Sequence, residues 1–179
     1  LPQLTRLRIH SRMPVVIPGR ITPALTAMLG ASRLHVSLVI HANHAHELDE
    51  SVACALEPLR RAGITLLNQS VLLAGVNDDV SVLVELCERL FAIGVLPYYV
   101  HLLDRVAGSA HFEVSEERAR HLQRELLARL PGYLVPRFVR EQPDAASKVP
   151  LESMVSISAQ DQAAAEREPR AGNPADAPV

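Results

Sequence analysis

Residues 34–41 read Leu-His-Val-Ser-Leu-Val-Ile-His, and this stretch decides the fold together with the helical run after it. The apolar, β-branched run predicts a largely buried strand. A helix is predicted over 46–61, where Leu48, Val52, Ala55, Leu56 and Leu59 recur at helical spacing. Pro58 is placed to kink its last turn, and Gly63 to end it. Thr65–Leu73 is the next strand. Strand, helix and strand in this order form one βαβ unit, which calls for parallel strands.

The pattern repeats outward from this unit. Upstream, Leu4–His10 reads as a strand and residues 14–18 as an extended connector. Thr22 caps a helix that opens on Pro23, runs to Leu29 and stops at Gly30. Downstream, the turn-rich residues 74–79 feed a helix over 80–93, followed by a strand over 96–103. Ser115 caps a helix to Leu130 with Glu116 and Glu117 in its first turn, and 133–140 is strand-like. From about Ser156 the chain turns to Ala, Gln, Glu, Pro, Gly and Asp, so residues 152–179 are expected to be a disordered tail to a folded unit spanning 1–151. The strands are too few for a whole eight-stranded barrel, which needs about 250 residues. An open α/β sheet or half a barrel remains.

Composition narrows the class. The chain has 179 residues, a net charge of −2 and 48% hydrophobic residues, but only 3% aromatic ones, so aliphatic side chains must fill the core. Nothing in the charge suggests a nucleic-acid or anionic-membrane partner. No apolar run approaches the roughly 18 residues needed to span a bilayer. Arg6, Arg8 and Arg12 interrupt the start, which begins at Leu1 within a strand-like segment, so no signal peptide is read and the chain reads as a fragment of a cytoplasmic protein. Cys54 and Cys87 each sit in a helical pattern and read as core thiols of a reducing compartment rather than as a disulfide or metal pair.

Among 18 Lys and Arg there is one lysine, Lys148. A composition that replaces lysine with arginine wherever arginine serves leaves the survivor as a candidate for work a guanidinium cannot do, such as forming an imine. Other polar residues collect at predicted strand ends, where parallel α/β folds bind ligands. His10 and Arg12 end the first strand, His41, Asn43, His44 and His46 the second, and Asp104 and Arg105 a later one. His41 and His44 could be a metal pair, a hydrogen-bonded strand end or a cofactor contact; no third ligand is evident. Asn68 and Gln69 lie within an apolar strand, each as a structural bridge or a ligand contact. Asp104 and Glu141 read individually as loop or surface carboxylates, and as an ammonium site only if they converge.

Several stretches resemble the lysine 2,3-aminomutase family. They are Ser11-Arg12-Met13-Pro14-Val15-Val16-Ile17-Pro18-Gly19-Arg20-Ile21-Thr22-Pro23, Ile40-His41-Ala42-Asn43-His44, residues 67–78 (LNQSVLLAGVND), residues 97–104 (PYYVHLLD), Gly108-Ser109-Ala110-His111-Phe112 and Gly132-Tyr133-Leu134-Val135-Pro136. Their order and spacing carry the resemblance from about Leu1 to Leu151. It implies an α/β fold that is the C-terminal half of a partial (β/α) radical-SAM barrel with parallel strands. It implies an isomerase that converts L-lysine to β-lysine using S-adenosylmethionine (SAM), a [4Fe-4S] cluster and pyridoxal phosphate (PLP).

On this resemblance Lys148 matches the lysine that bonds to PLP, Asp104 and Glu141 the two acids that hold the ε-ammonium of substrate lysine, and His41 and Gln69 positions near SAM. Glutamate at 141 and the run 103–108 resemble the branch whose product a lysyl ligase attaches to elongation factor P. Ala145-Ala146-Ser147 stands where the family often has glycines before the lysine. The family's C-x3-C-x2-C cluster motif is absent from these residues. The missing N-terminal half is expected to supply it, and the fragment alone is expected not to turn over. Two other readings stay open: a non-catalytic remnant that only binds a ligand or partner, and a different α/β enzyme with a carbonyl substrate on Lys148.

Overall fold

The computed structural model describes residues 1–104, 106, 108–142, 145 and 147–151. The expected tail at 152–179 lies outside the described residues, as do Arg105 and Ala146. A six-stranded sheet runs β1 (Arg6–Ser11), β2 (His35–His41), β3 (Thr65–Leu72), β4 (Leu96–Leu102), β5 (Arg137–Arg140) and β6 (Val149–Pro150), in that spatial order. The pairs from β1 to β5 are all parallel. Between them lie α1 (Met13–Val16), α2 (Pro23–Gly30), α3 (Glu50–Arg61), α4 (Val80–Ala92) and α5 (Glu116–Arg129).

Parallel neighbours in strict sequence order, with crossovers of the one hand such connections favour, put every crossover helix on one face of the sheet. Alternation does the rest. Leu38, Ile40 and Leu66 pack with Leu56 and Leu59 of α3 and Leu86 and Leu90 of α4. Leu72, Val100, Leu102 and Phe138 pack with Leu122 and Leu126 of α5. The opposite face carries Arg8 and His10 of β1, His41 of β2, Gln69 of β3, and Tyr99 and His101 of β4. Register aligns His41, Gln69, Tyr99 and Arg137 in one row across four strands.

Five sequence expectations are corrected. Cys54 is not a core thiol: it lies exposed on α3, and only Cys87 is buried. Residues 14–18 are not extended: Pro14 sits in the first turn of α1, where a missing N–H costs nothing, and a 3-10 turn follows at Pro18–Arg20. The helix expected over 46–61 is two pieces with a cap each. His44 and Glu47 form a capping box on a 3-10 turn at Ala45–Glu47, and the Asp49 side chain accepts from the Val52 N–H to start α3. The strand expected from Tyr133 begins only at Arg137, because Gly132–Leu134 is a 3-10 turn and Pro136 has no N–H to pair. The strands are not all parallel: β6 returns antiparallel, with Val139 opposite Pro150 and Arg140 opposite Val149. Leu151 drives that return, since its side chain is buried in the α5-side core and its N–H donates to the Phe138 carbonyl at 2.8 Å. The other predicted elements stand within a residue or two, Pro58 included within α3. No helix among the described residues is long and apolar enough to cross a membrane.

Candidate active site at the carboxyl ends of the strands

The open face becomes a site where β2 to β5 end and β6 comes back. Asn68 is buried on the helix-facing side. Its Oδ1 accepts from the Ala42 N–H at 2.9 Å and its Nδ2 donates to the Ala42 carbonyl at 3.1 Å, so Asn68 is a structural bridge between β3 and the end of β2. Asn43 Oδ1 accepts from the Val71 N–H at 2.9 Å. The fully buried Asn77 completes the lock: its Oδ1 accepts from the Leu73 N–H at 2.7 Å, and its Nδ2 donates to the carbonyls of Asn43 and Val71, each at 2.9 Å. Glu47 anchors the same loop from outside, accepting from the Asn43 and His44 N–H groups and from Arg12. These bonds leave the β2 and β3 ends little freedom, and His41 and Gln69 stand on the framework.

His41 and Gln69 are register partners and so share the open face. His41 Nε2 and Gln69 Oε1 are both buried with no hydrogen-bond partner among the described residues. A buried polar atom left unpaired costs about 1–3 kcal/mol, so two side by side on one face mark a place built for something else to pair with them. His10 stacks edge-on to His41 with ring centroids 5.9 Å apart. Burial pushes the His41 pKa down, helped by His10 and Arg12; burial also lowers that of His10, helped by Arg8 and Lys148 and opposed by the adjacent Gln69 side chain. Both shifts favour the neutral rings. His44 does not turn inward with His41: its Nδ1 accepts from the His46 N–H, a local bond that serves the turn. No group of three metal-ligating side chains gathers among the described residues.

Lys148 arrives with β6. Its Nζ forms an ion pair with Glu141, sits 3.4 Å from His101 Nε2 and lies 5.7 Å from the centre of the Tyr99 ring. The Lys148 side chain is half-buried, and its Glu141 partner is more exposed. His101 Nδ1 is 3.7 Å from Glu141. Burial lowers the His101 pKa, the Lys148 charge adds to this, and Glu141 and Asp104 partly offset it. Hydrogen bonding to Lys148 holds the Glu141 carboxyl below the usual carboxylate range. Asp104 and Glu141 both line one cleft of about 340 Å³ with Leu102, Leu103, Glu113, Val114 and Arg140. A larger cavity, about 690 Å³ and lined by Cys54, Glu57, Arg60 and Phe91, lies among α3 and α4, away from these groups.

The sequence reading missed His101, Tyr99 and Asn77. The signal for the first two was the alternation of β4, which puts both on the face that carries Gln69. Nothing local marked Asn77.

Comparison with known proteins adds a sequence relationship. The chain is 53% identical over 152 residues to an L-lysine 2,3-aminomutase of Escherichia coli strain K12, a match covering 85% of this chain and 44% of that protein. It is 49% identical over 141 residues to the L-lysine 2,3-aminomutase of Haemophilus influenzae (79% and 42% covered) and 41% identical over 152 residues to that of Clostridium subterminale (84% and 36% covered). The chain is related by sequence to the L-lysine 2,3-aminomutases, matching their C-terminal half. It spans less than half the length of these aminomutases. No protein-family profile matches it. Among solved structures, a radical SAM methyltransferase from Sphaerobacter thermophilus covers 66% of this chain at a TM-score of 0.49 and 17% identity, too loose a likeness to bear on function.

Proposed function

We propose that the chain is the C-terminal half of a radical-SAM barrel in an L-lysine 2,3-aminomutase of the cytoplasm, whose β-lysine is passed to the ligase that modifies elongation factor P. The observation that carries this reading is the ion pair of the lone lysine with Glu141, an acid that shares a cleft with Asp104, near two buried polar atoms left unpaired among the described residues. Sheet order supports the barrel: sequential parallel strands with helices on one face curve naturally toward closure, and the polar face opposite would be the interior.

Lys148 is the residue to hold PLP, since an amine can bond to an aldehyde and a guanidinium cannot. His41 and Gln69 are the residues to meet SAM, through the Nε2 and Oε1 that stay unpaired among the described residues. Asp104 and Glu141 are the acids to hold the ε-ammonium of L-lysine, from the one cleft that they share. At an effective dielectric near 20, each such contact at about 4 Å contributes roughly 4 kcal/mol before desolvation. The cluster does not fit here: Cys54 is exposed on α3 and Cys87 is buried on α4, and no step of the chemistry is assigned to either. When bound, PLP would supply an aldehyde for amine chemistry, and SAM with its cluster the radical. The part of these residues is to bind, orient and exclude water.

The test uses the full-length protein with its cluster reconstituted. L-lysine should become β-lysine only when both SAM and PLP are present, and deletion of the gene should leave elongation factor P without the added mass. Binding of PLP or lysine without turnover would instead make the protein a non-catalytic remnant.

A further inference from the structure

We propose that His101 is a catalytic residue that takes the proton from Lys148 so that its amine can attack the carbonyl of an incoming aldehyde. The inference rests on the reading of Lys148 as the cofactor-bonding residue and adds to it a group that the reading left unassigned.

The geometry is a triangle of three groups, in which Lys148 also pairs directly with Glu141. Lys148 Nζ is 3.4 Å from His101 Nε2, and His101 Nδ1 is 3.7 Å from a Glu141 oxygen. A lysine ammonium has only protons to offer, so the ring nitrogen that faces it must be the one with the lone pair. That assigns the remaining ring proton to Nδ1, on the side of Glu141. A base thus faces the reacting atom, and the Glu141 carboxylate, which already pairs with Lys148, lies beside the ring as well, where it can stabilise the imidazolium as it forms. His101 is itself buried, at the end of β4, and its ring packs edge-on to Tyr99 with centroids 5.7 Å apart, which fixes its orientation. The charged and titratable groups facing this cluster are Glu141 from the end of β5, Asp104 beyond β4, His41 of β2, His10 and Arg8 of β1, and Arg137 of β5. The two carboxylates are the nearest of these that oppose the burial of a charged imidazole.

The step balances without any redox partner. Lys148 enters as an ammonium, its electron pair forms the C–N bond after His101 removes a proton, and the carbonyl oxygen takes that proton. A second proton passes from nitrogen to the same oxygen, which leaves as water, and a protonated C=N bond remains.

The test is the rate at which full-length protein freed of PLP captures added PLP, stopped by borohydride at set times and read as phosphopyridoxyl mass on the Lys148 peptide. His101→Gln keeps the size and polarity but cannot carry the proton. It should slow capture by about a hundredfold at pH 7. It should do so far less near pH 10, where a lysine amine loses its proton unaided. Equal rates at pH 7, or an equal slowing at both pH values, would overturn the inference. Circular dichroism checks that the variant folds. If it does not, the unmodified protein decides: its capture rate must rise through a group ionising in the histidine range, and a rise only near pH 10 rejects His101. Failure of the underlying reading looks different, because then no mass appears on Lys148 in the unmodified protein.

Discussion

Lys148 and Glu141 stand seven residues apart in sequence and close an ion pair across the reversal between β5 and β6. The pair puts the only lysine of the chain in contact with one of the two acids proposed to hold a substrate ammonium. Before any ligand arrives, the chain's own lysine answers the charge that a free lysine would later answer. The carboxyl of Glu141 is held below its ordinary 4.5 by that contact. A depressed acid contributes stability above its unfolded value, and the contribution is lost as pH falls through the folded one. With side chains 30% and 53% exposed the contribution is small. An NMR titration of the Glu141 carboxyl should have its midpoint below 4.5, returning toward 4.5 in Lys148→Met.

Lys148→Arg separates charge from nucleophilicity. Arginine can keep the ion pair with Glu141 but cannot bond to an aldehyde. In the full-length protein the variant should lose the visible absorbance of covalently held PLP while keeping its iron content. Persistence of that absorbance would remove Lys148 from the site.

Asp104→Asn and Glu141→Gln should each weaken L-lysine binding by about tenfold or more, roughly 1.4 kcal/mol. PLP affinity should change far less in Asp104→Asn, because Asp104 is assigned to the substrate alone, whereas Glu141 also pairs with Lys148. Calorimetric titration with each ligand checks this, and equal losses for both ligands in Asp104→Asn would argue against a substrate role.

Asn77→Ala should destabilise the protein by about 3 kcal/mol or more, since it strands the Leu73 N–H and two carbonyls in a buried place. Urea unfolding measures this. The same variant should loosen the ends of β2 and β3 and so reduce SAM affinity through His41 and Gln69, although it touches neither.

The two cysteines should differ sharply in reactivity. Burial, with Glu88 nearby, pushes the Cys87 thiol up to about 12, whereas Cys54 is exposed. At pH 8 a maleimide should label Cys54 in minutes and Cys87 only on unfolding. Mass mapping after brief labelling checks it.

Much of this was legible in sequence because it is local. The run at 34–41, the helical spacing of Val52, Leu56 and Leu59, Ser115 ahead of two glutamates, and Thr22 before Pro23 each carry their own physical cause within a few residues. Glycines that end helices are equally local: Gly63 and Gly94 take φ of 79° and 78°, a region that suits a residue without Cβ. The scarcity of lysine singled out Lys148 through chemistry rather than geometry.

What tertiary structure alone decided is which polar residues meet. No periodicity announces that a two-residue strand will turn back on β5 and carry Lys148 to His101, because burial of Leu151 against Phe138 and its neighbours, far away in sequence, drives that return. Nor could residue pattern alone choose between the two amides at 68 and 69, where only the resemblance singled out Gln69. Strand alternation sends Asn68 to the helix side, where Ala42 satisfies it, and Gln69 to the open side, where its Oε1 finds no partner among the described residues. Side-chain identity is written residue by residue, whereas convergence depends on sheet register and crossover handedness, which are properties of the assembled chain.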